Sequence, residues 1–89
     1  MSMDFYPDID QGWESDAAIN MANGNAYRML ALLGIGSGRI KAEDLQMAIW
    51  KFYADAEQAG RQIEVYVARR LADLQVLVYA AGDKDIVVV

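Results

Sequence analysis

INMANGNAYRMLALL, running from Ile19 to Leu33, is the stretch on which the reading of the fold turns. Ile19 and Met21 alternate with Asn20 and Ala22, a short strand-like pattern. From Ala26 the spacing becomes helical, placing Ala26, Met29, Leu30 and Leu33 on one face. Gly34 follows where a left-handed residue ends a helix. Three asparagines, Asn20, Asn23 and Asn25, crowd the junction between the two patterns. Asn23 is placed as an N-cap, its side-chain oxygen accepting from the free N–H of Asn25 or Ala26. Two roles are open for the cluster. It either caps the helix and pins the turn, or forms a polar cup whose amides and free N–H groups bind an anion or a carbonyl-bearing ligand. Capping needs no ligand and is the expectation carried forward.

Eighty-nine residues make one domain, and 55% of them are hydrophobic. A chain this short buries only about 60% of its unfolded surface. Apolar side chains are therefore expected on the outside, which points to a homo-oligomer, most simply a dimer, or to a protein partner. No apolar run approaches the roughly 20 residues of a membrane span, and the N-terminus lacks the pattern of a signal peptide. A cytoplasmic chain with no membrane contact is the expectation. The chain has no cysteine and no histidine. That removes disulfides, Ser-His triads, thiol nucleophiles and the commonest zinc ligands. Most enzyme mechanisms are thereby excluded, which favours a non-enzyme while leaving an enzyme open, and no metal or cofactor is expected.

Charge is uneven along the chain. Asp4, Asp8, Asp10, Glu14 and Asp16 fall in residues 1–23 with no Lys or Arg, so the net charge of −5 resides there. This balance repels nucleic acid and anionic lipid. Pro7 and Gly12 give the same region turn chemistry, while Phe5, Tyr6 and Trp13 supply apolar contacts that a disordered tail lacks. Residues 1–18 thus read as an acidic aromatic arm lying on a helical domain of residues 19–89. The acids do not match a calcium-binding EF-hand loop.

Gly34, Gly36 and Gly38 form a connection that reverses direction; it lacks the Lys and Ser/Thr of a phosphate loop. A second helix is expected over about 42–59, with Ala42, Leu45, Ala48, Ile49, Phe52, Tyr53, Ala56 and Ala59 on its core face. Met47 and Trp50 fall outside that face and mark an interaction surface. Gly60 ends the helix, although one long helix from Ala42 to Ala81 is the alternative. The third helix is expected over about 63–81. Its first face collects Ile63, Tyr66, Val67, Leu71, Leu74, Leu77, Val78 and Ala81, and a second apolar stripe holds Val65, Ala68, Ala72, Val76 and Tyr79. Such a helix is either buried on two sides or forms the seam of an oligomer. Arg70 lies within the first face, where it must pair or snorkel. Ile86-Val87-Val88-Val89 reads as a strand. Its only visible partner is the segment near Asn20. The expected fold is mainly α (α+β): three helices (23–33, 42–59, 63–81) with a two-stranded pairing of residues 19–22 and 86–89.

Asn20, Asn23 and Asn25, followed by Leu32, Leu33 and Gly34 and then by Gly60, Arg61, Tyr66, Arg69, Arg70 and Leu71, form a series of short motifs. In that order they resemble small uncharacterised bacterial proteins, which implies a bacterial or phage origin and the shape of residues 19–89, but no activity. The leading functional reading is a non-enzymatic protein-interaction or self-associating module. The alternative is a small-ligand-binding domain, or a minor enzyme, using Asn20, Asn23 and Asn25 with Tyr66, Arg69 and Arg70, and Asp16 as the nearest carboxylate. Nucleic-acid binding through Arg61, Arg69 and Arg70 ranks third, since few bases stand clear of acids.

Overall fold

A computed structural model describes residues 1–89. The N-terminal segment expected to be an arm holds a strand, β1 (Ser2–Pro7). It is followed by a single 3₁₀ turn (Gly12–Glu14), β2 (Ile19–Ala22), α1 (Asn23–Leu33), β3 (Gly38–Lys41), α2 (Ala42–Gln58), α3 (Val65–Ala81) and β4 (Asp85–Val88). The strands form one antiparallel sheet in the order β2-β1-β4-β3. The fold is α+β, and the expected two-stranded pairing of residues 19–22 with 86–89 does not form. β1 lies between them, with Phe5 opposite Ile19 on one side and Val88 on the other. The physical reason is ladder satisfaction: an isolated pair of short strands is marginal in water, whereas β1 offers both neighbours a partner.

The signal for β1 is the alternation in SMDFYP. Met3, Phe5 and Pro7 are buried, while Ser2 and Asp4 are exposed and Tyr6 is half-buried. Pro7 is tolerated at the strand's end because β2 has already stopped there: the last matched pair is Phe5 with Ile19. The glycine-rich connection also holds more structure than a reversal. Its last residues form the edge strand β3, in register with β4 from Gly38–Val88 to Lys41–Asp85.

All three helices pack on one face of the sheet. Met3, Phe5, Ile19, Met21, Ile86 and Val88 meet Ala26, Met29, Leu30, Leu33, Leu45, Ile49, Val67, Leu71, Leu74 and Leu77 in a single core. α1 stops by the geometry its sequence suggests. Gly34 takes φ 68°, and the N–H of Ile35 donates to the Leu30 carbonyl at 3.0 Å, closing the helix end while Ile35 packs back on the core. Gly60, at φ 66°, separates α2 from α3 and removes the single-long-helix alternative. Ile63 precedes α3 rather than opening it and still packs against the core.

The other face of the sheet is covered in one place. Val87 is only 7% exposed although it points away from the helices, between Tyr6 and Arg39 in the register. The 3₁₀ turn folds back over this spot, setting Trp13 edge-on to Tyr6 with ring centroids 6.5 Å apart. That fold-back depends on Gly12. A Cβ built there sits 1.9 Å from the Pro7 carbonyl oxygen, and backbone cannot yield as a flexible side chain can. Gly12→Ala is therefore expected to cost about 3 kcal/mol, the upper part of the range for overpacking. In a thermal melt this lowers Tm by more than about 10 °C for a chain this size. An unchanged Tm refutes the close approach.

Candidate functional site

The three asparagines do not converge. Asn20 points to the outer face of the sheet, where its side-chain amide donates to Asp4 Oδ1 at 2.6 Å and to Ser2 Oγ at 3.0 Å. Asn25 is exposed on the first turn of α1. Asn23 is the first residue of the helix and not its cap: Ala22 holds the N-cap position, with no side-chain capping bond. The Asn23 Oδ1 is buried and has no hydrogen-bond partner. The backbone N–H of Asn23 instead donates to the Met1 carbonyl at 3.2 Å, extending the β1–β2 ladder by one step. Entry from a paired strand thus replaces side-chain capping, and the cluster forms no cup.

A different set does come together. Asp16, Ala17, Ala18, Ile19 and Asn20 face Arg70, Asp73 and Val76 of α3 across an open cleft of about 270 Å³. Arg70 was the misplaced charge of the core face, and the structure resolves it at the edge of the core. Its Nε donates to the Tyr66 hydroxyl at 3.2 Å and its Nη1 to Asp73 Oδ2 at 3.1 Å, one turn away on either side. The guanidinium carbon also stands 5.3 Å from the Tyr66 ring centre. Its pKa is pushed above the ordinary arginine value, first by the hydrogen bond to Tyr66, with partial burial working in the opposite direction. The group is therefore a fixed cation, held on its helix. Arg69 is exposed and takes no part. Of the residues named from sequence, Asp16, Asn20, Tyr66 and Arg70 share this neighbourhood, and Asn23, Asn25 and Arg69 do not. Asp73 was missed, and its signal was helical spacing, three residues after Arg70. Val76 was read as part of the second apolar stripe and not as a site residue.

The second feature is the outward side of α2 and α3. Gln46 and Gln75 exchange amide hydrogen bonds between the two helices, one of them at 2.9 Å. Beyond that pair, Met47 and Trp50 are each 60% exposed on α2. On α3 the stripe of Val65, Ala68, Ala72, Val76 and Tyr79 turns outward, with Tyr79 85% exposed. The helix is thus buried on one side, and its second apolar stripe is open. Met47 and Trp50 also border a shallow concavity with Val78 and Gly82. No helix is long and apolar enough to cross a membrane.

A scan against protein-family models, a search of curated proteins and a search of solved structures each found no match.

The unpaired Asn23 oxygen makes the capping question measurable. Asn23→Ala removes a buried acceptor with no partner, whose desolvation penalty is of order 1–3 kcal/mol. Chemical denaturation is expected to show the variant as stable as the parent, or up to about 1 kcal/mol more stable. A loss of 1 kcal/mol or more restores the capping role.

Proposed function

We propose that the chain is a non-enzymatic protein-interaction module that associates with a second copy of itself through the outward side of α2 and α3. The observation that carries this reading is that Met47 and Trp50 of α2 and Val65, Val76 and Tyr79 of α3 are all more than half exposed. Contiguous exposed apolar surface beyond a few hundred Å² marks an interface. The small residues Ala68 and Ala72 lie at the middle of the α3 row, where they let a partner helix approach closely. A two-fold pairing sets this row against its own copy, as the commonest homodimers do. Trp50 and Tyr79 supply the aromatic anchors that dominate binding energy in such contacts. The dispersal of the asparagines withdraws the support for a ligand cup at the first helix.

Light scattering at micromolar concentration is expected to give a dimer mass. The double variant Trp50→Lys/Tyr79→Lys is expected to weaken dimerisation by at least about 30-fold, the size of one interface hot spot. Both positions are exposed, so far-UV circular dichroism should show the fold kept. A parent that stays monomeric across a wide concentration range, or a double variant with the parent's dimer affinity, rejects this face.

A further inference from the structure

The sheet ends on one side at β2, and the edge is open. Asn23 N–H bonds to the Met1 carbonyl, and Met3 faces Met21 and Phe5 faces Ile19 in the same register. In an antiparallel ladder, hydrogen-bonded and non-hydrogen-bonded pairs alternate. Asp4 and Asn20 therefore form a non-bonded pair, and Asp4 confirms it by exchanging both its backbone bonds with Val89, at 2.6 and 2.9 Å. The N–H and C=O of Asn20 and the N–H of Ala22 consequently point away from the sheet. Neither residue donates or accepts in any backbone bond outside the regular elements.

The two edges of the sheet differ in how they are protected. β3 carries Arg39 and Lys41 at its free edge, the charges by which edges resist pairing with other chains. β2 reads INMA and carries none. The cleft of Asp16, Asn20, Arg70, Asp73 and Val76 lies directly alongside β2. Arg70 lines the cleft and uses Nε and Nη1 within α3, leaving Nη2 without a hydrogen-bond partner. Asp16 has no ion-pair partner, and Asp73 and Asp4 lie nearby, leaving the neighbourhood with more negative charge than Arg70 offsets.

From these observations we infer that β2 is a strand-addition site for an extended peptide bearing a basic side chain. The peptide backbone pairs with Asn20 and Ala22 as a fifth strand. Alternate side chains of an added strand point to the helical side of the sheet. A lysine at that position lays its aliphatic stem over Val76 and brings its ammonium to Asp16 and Asp73. Arg70 Nη2 donates to a peptide carbonyl. A second copy of this chain is a poorer occupant, because pairing β2 with β2 brings two sets of the same acids together. The cleft shares Val76 with the margin of the dimer face proposed above, but the pairing edge of β2 lies outside that face and the inference does not depend on it.

The test uses the full chain, labelled with nitrogen-15, and a blocked ten-residue peptide alternating threonine or valine with lysine. A peptide with glutamate in place of each lysine serves as control. The lysine peptide is expected to bind saturably, to shift the amide signals of Asn20 and Ala22, and to slow their hydrogen exchange. The glutamate peptide is expected to bind at least tenfold more weakly. Ala22→Pro is the decisive variant: Ala22 has φ −56°, which proline adopts without strain, and its N–H is the outward donor. It should weaken the lysine peptide at least tenfold with no loss of Tm. Should that variant fail to fold, a lysine peptide N-methylated at alternate residues, so that it cannot donate to the edge, must lose binding to the parent instead. Asp16→Lys should remove the preference for lysine over glutamate. Trp50→Lys/Tyr79→Lys should bind the peptide as the parent does, which keeps this result apart from the dimer test. The inference is overturned by any of three results: no saturable binding up to millimolar lysine peptide, equal binding of the glutamate peptide, or parent-like affinity in Ala22→Pro. It is also overturned if Ala22→Pro lowers self-association, because a second copy then occupies the edge.

Discussion

Pairing of β1 on both its edges is the constraint from which the remaining structure follows. One edge carries β2, and the other exchanges two bonds with the far end of the chain at Val89. Because β1 is internal, its buried side chains Met3 and Phe5 lie under the middle of the helical layer and not at its margin. They give α1 and α3 a floor that β2 and β4 alone are too narrow to provide. The same pairing settles the start of α1. A strand held in the ladder as far as Asn23 delivers the chain into the helix at a fixed angle, so no side-chain cap is needed.

The three helices were legible in the sequence, because each has a periodic apolar face and a glycine at its end. Ala26, Met29, Leu30 and Leu33, with Gly34 behind them, show this most clearly. The two missed strands had weaker signals for opposite reasons. β1 alternates, but its alternation is carried by Met3, Phe5 and Pro7 among acids, and a proline argues against a strand unless its neighbour is known to end there. β3 has a glycine at its start and only Ile40 turned inward, so an edge strand of four residues leaves little pattern to read. Once β1 is overlooked, residues 19–22 and 86–89 have only each other, and the two-stranded pairing follows from that omission.

The candidate site was legible in part. Arg70 drew notice as a charge on an apolar face, and the structure shows how α3 accommodates it: Tyr66 and Asp73 hold the guanidinium at the rim of the core. That Asp16 and Asn20 lie across from it depends on which edge of the sheet α3 overhangs, a long-range fact that local spacing does not carry. The asparagine cluster misled for a related reason. Asn20 lies on a strand with its side chain on the outer face, while Asn23 and Asn25 lie two positions apart on a helix and so point in different directions. Residues that look like one group were thus distributed over three environments.

Strand order also governs the sequence in which the structure can assemble. The hairpin of β1 and β2 closes a short loop, and the helices form from local contacts. The centre of the sheet, however, joins Asp4 to Val89, and that bond must wait until residue 89 is available. Contacts so distant in sequence slow folding, because loop closure precedes any gain from the contact. Until β4 arrives, β1 has an unpaired edge and the core lacks Ile86 and Val88. The growing chain thus passes through a stage in which its central strand is itself exposed, and the acids concentrated around that strand, Asp4, Asp8 and Asp10, are in place to keep such chains apart.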